Sequence, residues 1–324
     1  MLRIGSVGTS RIMRTAHEAI RLTDGMECAV VYSRDFARAK EFADTQGVKE
    51  SCSDYAALLK RDDIDIIYIA SPNKCHFSQT LQALKSRKHV IVEKPAVTDV
   101  SKARLLFESA RSNGVYCFEA ITTLFMPNYK ACKAFLQKLG TIKSARFCYG
   151  RRSSRYDDYL SGKNPNIFNP DMLGGALNDM GVYCVHAAAD LFGVPERVEY
   201  KAEFGENGVD LFGRLTLHYR GFECEITASK STDLKCGCRV DGENGWFEQN
   251  GELNDFSNCT GVLYGAPAAL CRPQSENRMI YEFSFFRDAI LKHDDIFFEK
   301  LSRQTEAAAD ILEKAHASCV SDRR

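Results

Sequence analysis

The sequence has no long hydrophobic run, no excess of charge of either sign and no Cys-x-x-Cys pair. No apolar stretch approaches the roughly 20 residues that a membrane-spanning helix needs. The first residues lack the apolar core of a signal peptide and lead straight into a strand pattern. Lysine plus arginine and aspartate plus glutamate number 43 each, so the charge balance gives no reason to expect nucleic acid or an anionic membrane as a partner.

Cysteine is abundant, with 13 residues, but the cysteines are scattered along the chain. Most stand in apolar patterns, where cysteine behaves as a small hydrophobic residue. A zinc site or a disulfide framework would need closer spacing. We therefore expect reduced thiols, no metal site and a cytoplasmic location.

The first third of the chain alternates strand and helix patterns with short turns between them. Apolar runs predict strands at 2–7, 27–32, 64–70, 89–93 and 115–119, and helical spacing predicts helices at 11–22, 36–46, 73–87 and 100–113 with a short one up to 60 capped by Ser53. Repeated βα units of this kind predict an α/β fold with a doubly wound parallel sheet. We assign 1–121 to this Rossmann domain.

The pattern changes after residue 121. A helix over 127–138 and a strand over 141–149 precede a long region of period two, and strict alternation around the Arg220-Gly221 turn predicts an antiparallel hairpin. The chain ends with helical stripes. We assign 122–324 to an α+β domain for substrate binding, with an open, mostly antiparallel sheet. Because exposed apolar sheets are rare in monomers, we expect a homodimer or higher homo-oligomer formed through this sheet.

The first strand ends in a turn of small residues that opens directly into a helix. Such a turn lets backbone N–H groups and the helix N-terminus approach a dinucleotide pyrophosphate. The spacing is Gly-x-x-Gly-x-Ser, which is also compatible with an ordinary βα turn. The residues that would hold the cofactor here are Gly5, Gly8, Thr9, Ser10, Arg11 and Ile12.

The second strand ends in Ser33 and Arg34, with Asp35 one position further on. An acidic residue near this point normally accepts the ribose hydroxyls of NAD. A hydroxyl and a guanidinium are better suited to a 2′-phosphate. The sequence therefore favours NADP over NAD, with an exposed arginine at a strand end as the alternative interpretation.

Two further strands end in polar segments. Ser71, Pro72 and Asn73 follow the strand over 64–70, and His76 lies one helical turn later. Asn73 suits a helix cap or a cofactor hydrogen bond, and His76 a cofactor contact or the helix surface. The strand over 89–93 leads into Glu93-Lys94-Pro95, and the proline fixes the direction in which the chain leaves the strand. Lys94 is therefore predicted at the carboxyl edge of the sheet, where open α/β folds bind ligands.

These segments, together with 174–183, resemble the glucose–fructose oxidoreductase / inositol dehydrogenase (Gfo/Idh/MocA) family of NAD(P)-dependent oxidoreductases over essentially the whole chain. Tyr183 stands where many members have histidine, which places the chain beside members similar to dimeric dihydrodiol dehydrogenase. The resemblance implies that Lys94 is the catalytic lysine, that Asp179 is the active-site aspartate and that the Lys94–Pro95 peptide is cis. It also implies that Glu93 and Lys94 contact the cofactor.

The chemistry that the resemblance implies is hydride transfer between nicotinamide and a secondary alcohol or ketone of a sugar, polyol or related diol. Tyr183 would act as general acid/base, its ionisation favoured by the Lys94 ammonium. Asp179 would orient the substrate. Two other functions stay open: a catalytically silent NAD(P)- or sugar-sensing regulator on the same fold, and a reductase of a non-sugar substrate.

The chain departs from the family pattern at three places. The segment 121–127 lacks the aromatic–arginine pattern of the dihydrodiol dehydrogenases, so the substrate of those enzymes should not be assigned to this chain. His186 replaces a common aspartate and suits either a substrate contact or a structural role. Tyr156 lies in an arginine-rich segment, 151–158, that is either a substrate-binding loop, its arginines suited to an acidic ligand, or a solvated one.

Overall fold

The computed structural model describes residues 1–321, with the backbone alone described at 320 and 321. The chain divides into two compact units. The first comprises Met1–Ala120 and Ser275–Glu306, and the second comprises Ile121–Gln274 and the chain from Ala307 onward.

The first 120 residues alternate strands and helices, as predicted. The strands are β1 (Leu2–Val7), β2 (Met26–Tyr32), β3 (Glu50–Cys52), β4 (Ile66–Ile69), β5 (His89–Glu93) and β6 (Cys117–Ala120). The helices are α1 (Arg11–Arg21), α2 (Phe36–Gln46), α3 (Tyr55–Leu59), α4 (Asn73–Lys85) and α5 (Val100–Asn113).

Over residues 2–120 the six strands form one parallel sheet in the order β3-β2-β1-β4-β5-β6. All four residues of β4 and all four of β6 are buried, as expected for strands covered on both faces. The strand order reverses between β1 and β4, which is where open α/β sheets bind ligands. The predicted doubly wound sheet is confirmed.

Helix boundaries in this unit follow from capping chemistry. The side chains of Asp35 and Asp99 accept hydrogen bonds from the first turns of α2 and α5, and Gly47 and Gly114 end these helices at φ 70 and φ 67. One predicted cap is wrong: Asp54, not Ser53, caps α3, accepting from Ala57 N at 3.0 Å.

The remainder of the chain is richer in antiparallel strands. Its helices are α6 (Pro127–Leu136), α7 (Tyr156–Leu160), α8 (Val182–Phe192), α9 (Met279–Lys292) and α10 (Asp295–Ser318). Its strands are β7 (Ile142–Gly150), β8 (Arg197–Phe204), β9 (Asp210–Tyr219), β10 (Phe222–Ser229), β11 (Gly237–Gly242), β12 (Gly245–Asn250), β13 (Asn258–Leu263), β14 (Ala266–Ala269) and β15 (Val320–Ser321). Short 3₁₀ turns span Thr122–Phe125, Asn166–Phe168 and Pro170–Met172, and a π-helical turn spans Leu177–Gly181.

Within residues 121–321 these nine strands form one mixed sheet in the order β14-β13-β12-β11-β7-β10-β9-β8-β15. Most neighbours are antiparallel, while β7 with β10 and β8 with β15 are parallel. The predicted hairpin is β9–β10, in which Leu217 pairs with Cys224 and Leu215 with Ile226. The predicted open, mostly antiparallel sheet is confirmed.

The sequence analysis placed residues 275–306 in the second domain, whereas they group with the first unit. The reason is aromatic packing of α9 against the parallel sheet. The rings of Phe286 and Phe118 stack at 4.8 Å, and those of Phe283 and Tyr68 meet edge to face at 5.4 Å. An apolar stripe predicts that one face of a helix is buried, but it does not identify the sheet against which that face packs.

The face of the nine-stranded sheet opposite its core is polar, contrary to the apolar surface that the oligomer prediction assumed. A row of directly paired residues crosses it from β13 to β9, and the row reads Thr260, Glu248, Arg239, Arg146, Glu225, Thr216. The guanidinium of Arg239 also forms an ion pair with the Asp241 carboxylate, with an N–O distance of 2.7 Å, and its Cζ lies 4.2 Å from the centroid of the Trp246 ring. The reason for expecting oligomers is therefore altered, because charge and not apolar area dominates this face.

None of the helices within 1–321 combines the length and apolarity needed to cross a membrane.

Candidate active site

The turn after β1 lies against the end of β4. Gly8 has φ +122, a conformation that favours glycine, and a Cβ there would lie 2.7 Å from the carbonyl oxygen of Ala70. Ser10 occupies the position before α1, and the first turn of this helix contains no acidic residue. The turn therefore presents the positive end of α1 at the carboxyl edge of the sheet, which fits a pyrophosphate.

At the end of β2, Asp35 is already engaged. Its carboxylate caps α2 by accepting from Arg38 N at 3.2 Å, and its backbone N–H donates to the Ser33 hydroxyl at 3.3 Å. Arg34 is exposed. The first acidic side chain after β2 in the chain thus caps the helix, and Arg34 is exposed at the position where an adenosine ribose is normally bound.

His76 is buried, at 1% exposure, so its interpretation as a helix-surface residue is wrong. Its Nδ1 lies 2.8 Å from the Pro95 carbonyl oxygen and its Nε2 lies 2.8 Å from that of Ser71. Burial lowers the pKa of His76, and the two carbonyl contacts oppose this. His76 thus ties the loop after β4 to the loop after β5. Helix α4 begins at Asn73 with Pro72 at the cap position, so Asn73 is not the N-cap.

The Glu93-Lys94-Pro95 segment combines a buried acid with a half-buried lysine. Glu93 accepts from the Tyr68 hydroxyl at 2.6 Å, and burial raises its pKa. The Lys94–Pro95 peptide is cis, as the resemblance implied. The next amide, Ala96 N, donates to Glu119 at 2.8 Å. Glu93 therefore anchors the strand end internally, whereas Lys94 stands at the carboxyl edge of the sheet.

Asp179 and Tyr183 lie on a helix that starts with a π turn. Asp179 belongs to the turn Leu177–Gly181, and Tyr183 is the second residue of α8. Both side chains are partly exposed. The π turn is held by Asp210, whose Oδ2 accepts from Leu177 N at 2.8 Å. Such turns often occur at functional sites.

Tyr183 packs against a second tyrosine on the neighbouring strand. The rings of Tyr183 and Tyr149 meet edge to face at 5.5 Å. The Tyr149 hydroxyl donates to Asn254 Oδ1 at 2.9 Å. Tyr149 thus restricts the ring of Tyr183 from one side.

Lys230 forms an ion pair with Asp179 and was missed in the sequence analysis. It follows β10 directly and continues the inward row Cys224, Ile226, Ala228, so period two could have predicted its burial. Unlike Lys94, Lys230 belongs to none of the segments that carry the resemblance to the family, so no motif pointed to it.

Of the two residues predicted to contact substrate, Tyr156 is half-buried, and its ring packs against that of Phe168 in a tilted arrangement with the ring centroids 5.6 Å apart. His186 is 1% exposed within α8, which supports its structural interpretation.

The three arginines of the segment 151–158 each have an acidic partner. Arg151 pairs with Glu252, Arg152 with Asp157 at 2.7 Å and Arg155 with Asp158 at 3.0 Å. The segment is therefore close to electrically neutral, and it provides little net attraction for an acidic ligand.

Comparison with known proteins identifies related sequences over nearly the whole chain. The family model described as oxidoreductase family, NAD-binding Rossmann fold, matches residues 2–121, and that of the GFO/IDH/MocA C-terminal domain matches residues 113–248. An uncharacterised oxidoreductase of Escherichia coli is 34% identical, covering 90% of this chain and 89% of its own length. The scyllo-inositol 2-dehydrogenase (NADP⁺) of Bacillus subtilis is 36% identical, covering 76% and 75%.

The fold is shared with a solved structure. The 3-ketoreductase from Actinomadura kijaniata, determined with NADP and TDP-benzene, superimposes with a TM-score of 0.85 and 23% identity. The match covers 99% of this chain and 98% of that one.

Proposed function

Because the chain belongs to the Gfo/Idh/MocA oxidoreductase family, we propose that it is an NADP-preferring enzyme that oxidises a secondary alcohol of a sugar, polyol or related diol, or reduces the corresponding ketone. The observation that carries the proposal is the carboxyl edge of the parallel sheet. There the Gly8 turn lies against the end of β4, and Lys94 directly follows the neighbouring strand β5. A nucleotide site and a candidate catalytic cation thus share one edge.

The cofactor residues fit NADP. The Gly8 turn and the start of α1 suit the pyrophosphate, while Arg34 suits a 2′-phosphate because the nearby Asp35 caps α2. When bound, the nicotinamide accepts or supplies the hydride. Of the other residues predicted to bind cofactor, Glu93 and His76 are buried, and we assign them to holding the loop that carries Lys94.

Three side chains share the chemistry in this proposal. Tyr183 moves the proton of the substrate oxygen, taking it during oxidation and returning it during reduction. Lys94 contributes a positive charge that stabilises negative charge on that oxygen and favours the ionised phenol. Asp179 accepts a hydrogen bond from a substrate hydroxyl, which orients the carbon that reacts.

An uncharged, hydroxylated substrate agrees best with the charges. The carboxylate of Asp179 is compensated by Lys230, and the arginines of the segment 151–158 are paired. A scyllo-inositol dehydrogenase among the relatives points in the same direction.

The test is the change in nicotinamide absorbance on mixing the protein with NADP⁺ and a panel of inositols, monosaccharides and trans-diols, and with NADPH and the corresponding ketones or non-sugar ketones. We expect turnover with at least one neutral polyol or sugar, and slower turnover with NAD⁺. Tight NADP binding without turnover on the alcohols and their ketones would contradict the enzyme and support a sensor. Turnover confined to a non-sugar ketone would replace the substrate class but keep the cofactor.

We also infer that the protein is a homo-oligomer, a homodimer in the simplest case, joined through the outer face of the nine-stranded sheet. Opposite charges along the row from Glu248 to Glu225 could pair across a twofold axis. Light scattering should show more than one chain per particle, with a mass that falls as salt screens these charges. The cytoplasmic location stays a prediction from the sequence.

A further inference from the structure

Lys230 is a buried cation at a fixed point of the fold. Its side chain is 3% exposed. The backbone on both sides of it is held: Lys230 N donates to Leu211 O at 2.8 Å, and Ser153 N donates to Lys230 O at 2.9 Å. An ammonium in such a place is costly unless it is paired.

The groups around the ammonium are two carboxylates and an aromatic ring. Asp179 forms the ion pair, and the ring of Phe168 lies 5.3 Å from Lys230 Nζ. The charge of Lys230 also acts on Asp210, which holds the π turn through Leu177 N. The carboxylate of Asp179 is therefore fixed by the lysine, and the turn that carries it is fixed by Asp210.

We propose that Lys230 is a positioning residue that holds Asp179 as an oriented, charge-compensated acceptor for a hydroxyl of a neutral substrate. The substrate role rests on the function proposed above for Asp179. Only Asp179 of this pair is accessible to a ligand, because its side chain is 30% exposed and that of Lys230 is 3% exposed. The ligand reaches the carboxylate, and the ammonium acts on the ligand through it.

The ion pair with Lys230 makes the Asp179 carboxylate better suited to a neutral ligand than to a cation. A carboxylate next to a fixed ammonium still accepts a hydrogen bond, but it no longer attracts a cation strongly. Removing the ammonium takes away the ion pair that orients the Asp179 carboxylate and offsets its charge. Binding of an uncharged polyol should then weaken more than binding of the cofactor, which does not use Asp179 in this proposal.

The first test compares Lys230→Met, Lys230→Arg and the control Lys235→Met, an exposed lysine five residues away. The assay is oxidation of scyllo-inositol, or of the best neutral polyol in the panel, with NADP⁺. Lys230→Met should lose roughly tenfold or more in kcat/KM for the polyol, while KM for NADP⁺ stays within about twofold of the wild type. Lys230→Arg should recover part of the loss. Polyol kinetics unchanged in Lys230→Met would overturn the proposal.

The second test needs no turnover and separates this proposal from the proposed function. The thermal midpoints of Lys230→Met, Asp179→Asn and the double variant form a double-mutant cycle. Since removing one partner of a buried pair leaves the other uncompensated, the double variant should melt at a higher temperature than the sum of the single losses predicts. Additive losses would overturn the pairing. If the wild type oxidises no polyol, the proposed function fails, and the cycle still decides whether Lys230 holds Asp179.

Discussion

Asp210 should make the stability of the second unit depend on pH. This aspartate starts β9 and is 8% exposed. Burial raises its pKa to about 6, although hydrogen bonds from Tyr200 and Leu177 and the charge of Lys230 act against the rise. The unfolded value is 3.8. Between these values the folded protein keeps a proton that the unfolded chain has already released.

The sign and size follow from linkage. The stability that Asp210 contributes through its proton is fully present below about pH 4 and is lost as the pH rises through about 6. Each pK unit corresponds to ~1.4 kcal/mol, so the loss is about 3 kcal/mol. Asp210→Asn has no such proton. Its amide oxygen can still accept from Tyr200 and Leu177, because both donors bind the same carboxylate oxygen.

Between pH 4 and pH 7 the free energy of unfolding of Asp210→Asn should therefore rise by about 3 kcal/mol relative to that of the wild type. Urea unfolding at several pH values measures this, followed by the fluorescence of Trp246, the only tryptophan in the sequence, in β12 of the same unit. A local probe is preferable because a chain of 324 residues need not unfold in one step.

The measured quantity is how the difference in free energy of unfolding between variant and wild type changes with pH. Imperfect packing of the amide shifts this difference by the same amount at every pH and so does not affect the result. Asp171→Asn, at an exposed position of the same unit, serves as the control. The reasoning would be refuted if the free energy of unfolding of Asp210→Asn minus that of the wild type stayed constant, or fell, as the pH rises.

Three further predictions concern the first unit and the proposed chemistry. Lys94→Met and Tyr183→Phe should each lower kcat at least ~10²-fold, and near-normal turnover in either would contradict the roles given to them. Arg34→Ala should weaken NADP⁺ binding while leaving NAD⁺ binding nearly unchanged, measured by fluorescence titration; an unchanged ratio of the two affinities would argue against a 2′-phosphate site. His76→Phe should lower the free energy of unfolding by about 2 kcal/mol, because the carbonyl that accepts the single N–H of the neutral ring, that of Ser71 or of Pro95, loses its buried donor, and urea denaturation showing no loss would rule this out.

The sequence was most informative where local rules agree with one another. In the first 120 residues the hydrophobic period, the helix caps and the short turns all indicated βα units, so strand bounds such as Leu2–Val7 and His89–Glu93 were predicted to the residue. The three-residue strand Glu50–Cys52 was missed because it is too short to show a period. The predicted partition differs from the two compact units at 275–306, because an apolar stripe does not identify the sheet that buries it.

The candidate site divides in the same way. Residues next to strand ends, such as Lys94 and Arg34, could be predicted because a parallel sheet brings all its carboxyl ends to one edge. The burial of His76 and the pairing of Asp179 could not, since the contacts of His76 with Pro95 and of Asp179 with Lys230 join residues 19 and 51 positions apart. Period two could have predicted an inward Lys230, but the partner of an inward lysine is decided by tertiary packing.

Residues at the ends of β9 and β10 hold the π turn Leu177–Gly181 at two points, Leu177 and Asp179. Asp210 begins β9 and binds Leu177 N, and Lys230 follows the end of β10 and binds Asp179. The two strands keep one register from Tyr219–Phe222 to Phe212–Ser229. Since a slip of one residue moves every side chain of the slipped strand to the opposite face, a slip of β10 against β9 would turn Lys230 away from Asp179. The geometry of the acceptor thus depends on the strand pairing, and the tight turn at Gly221, with φ +93, is the point far from Asp179 where that pairing is set.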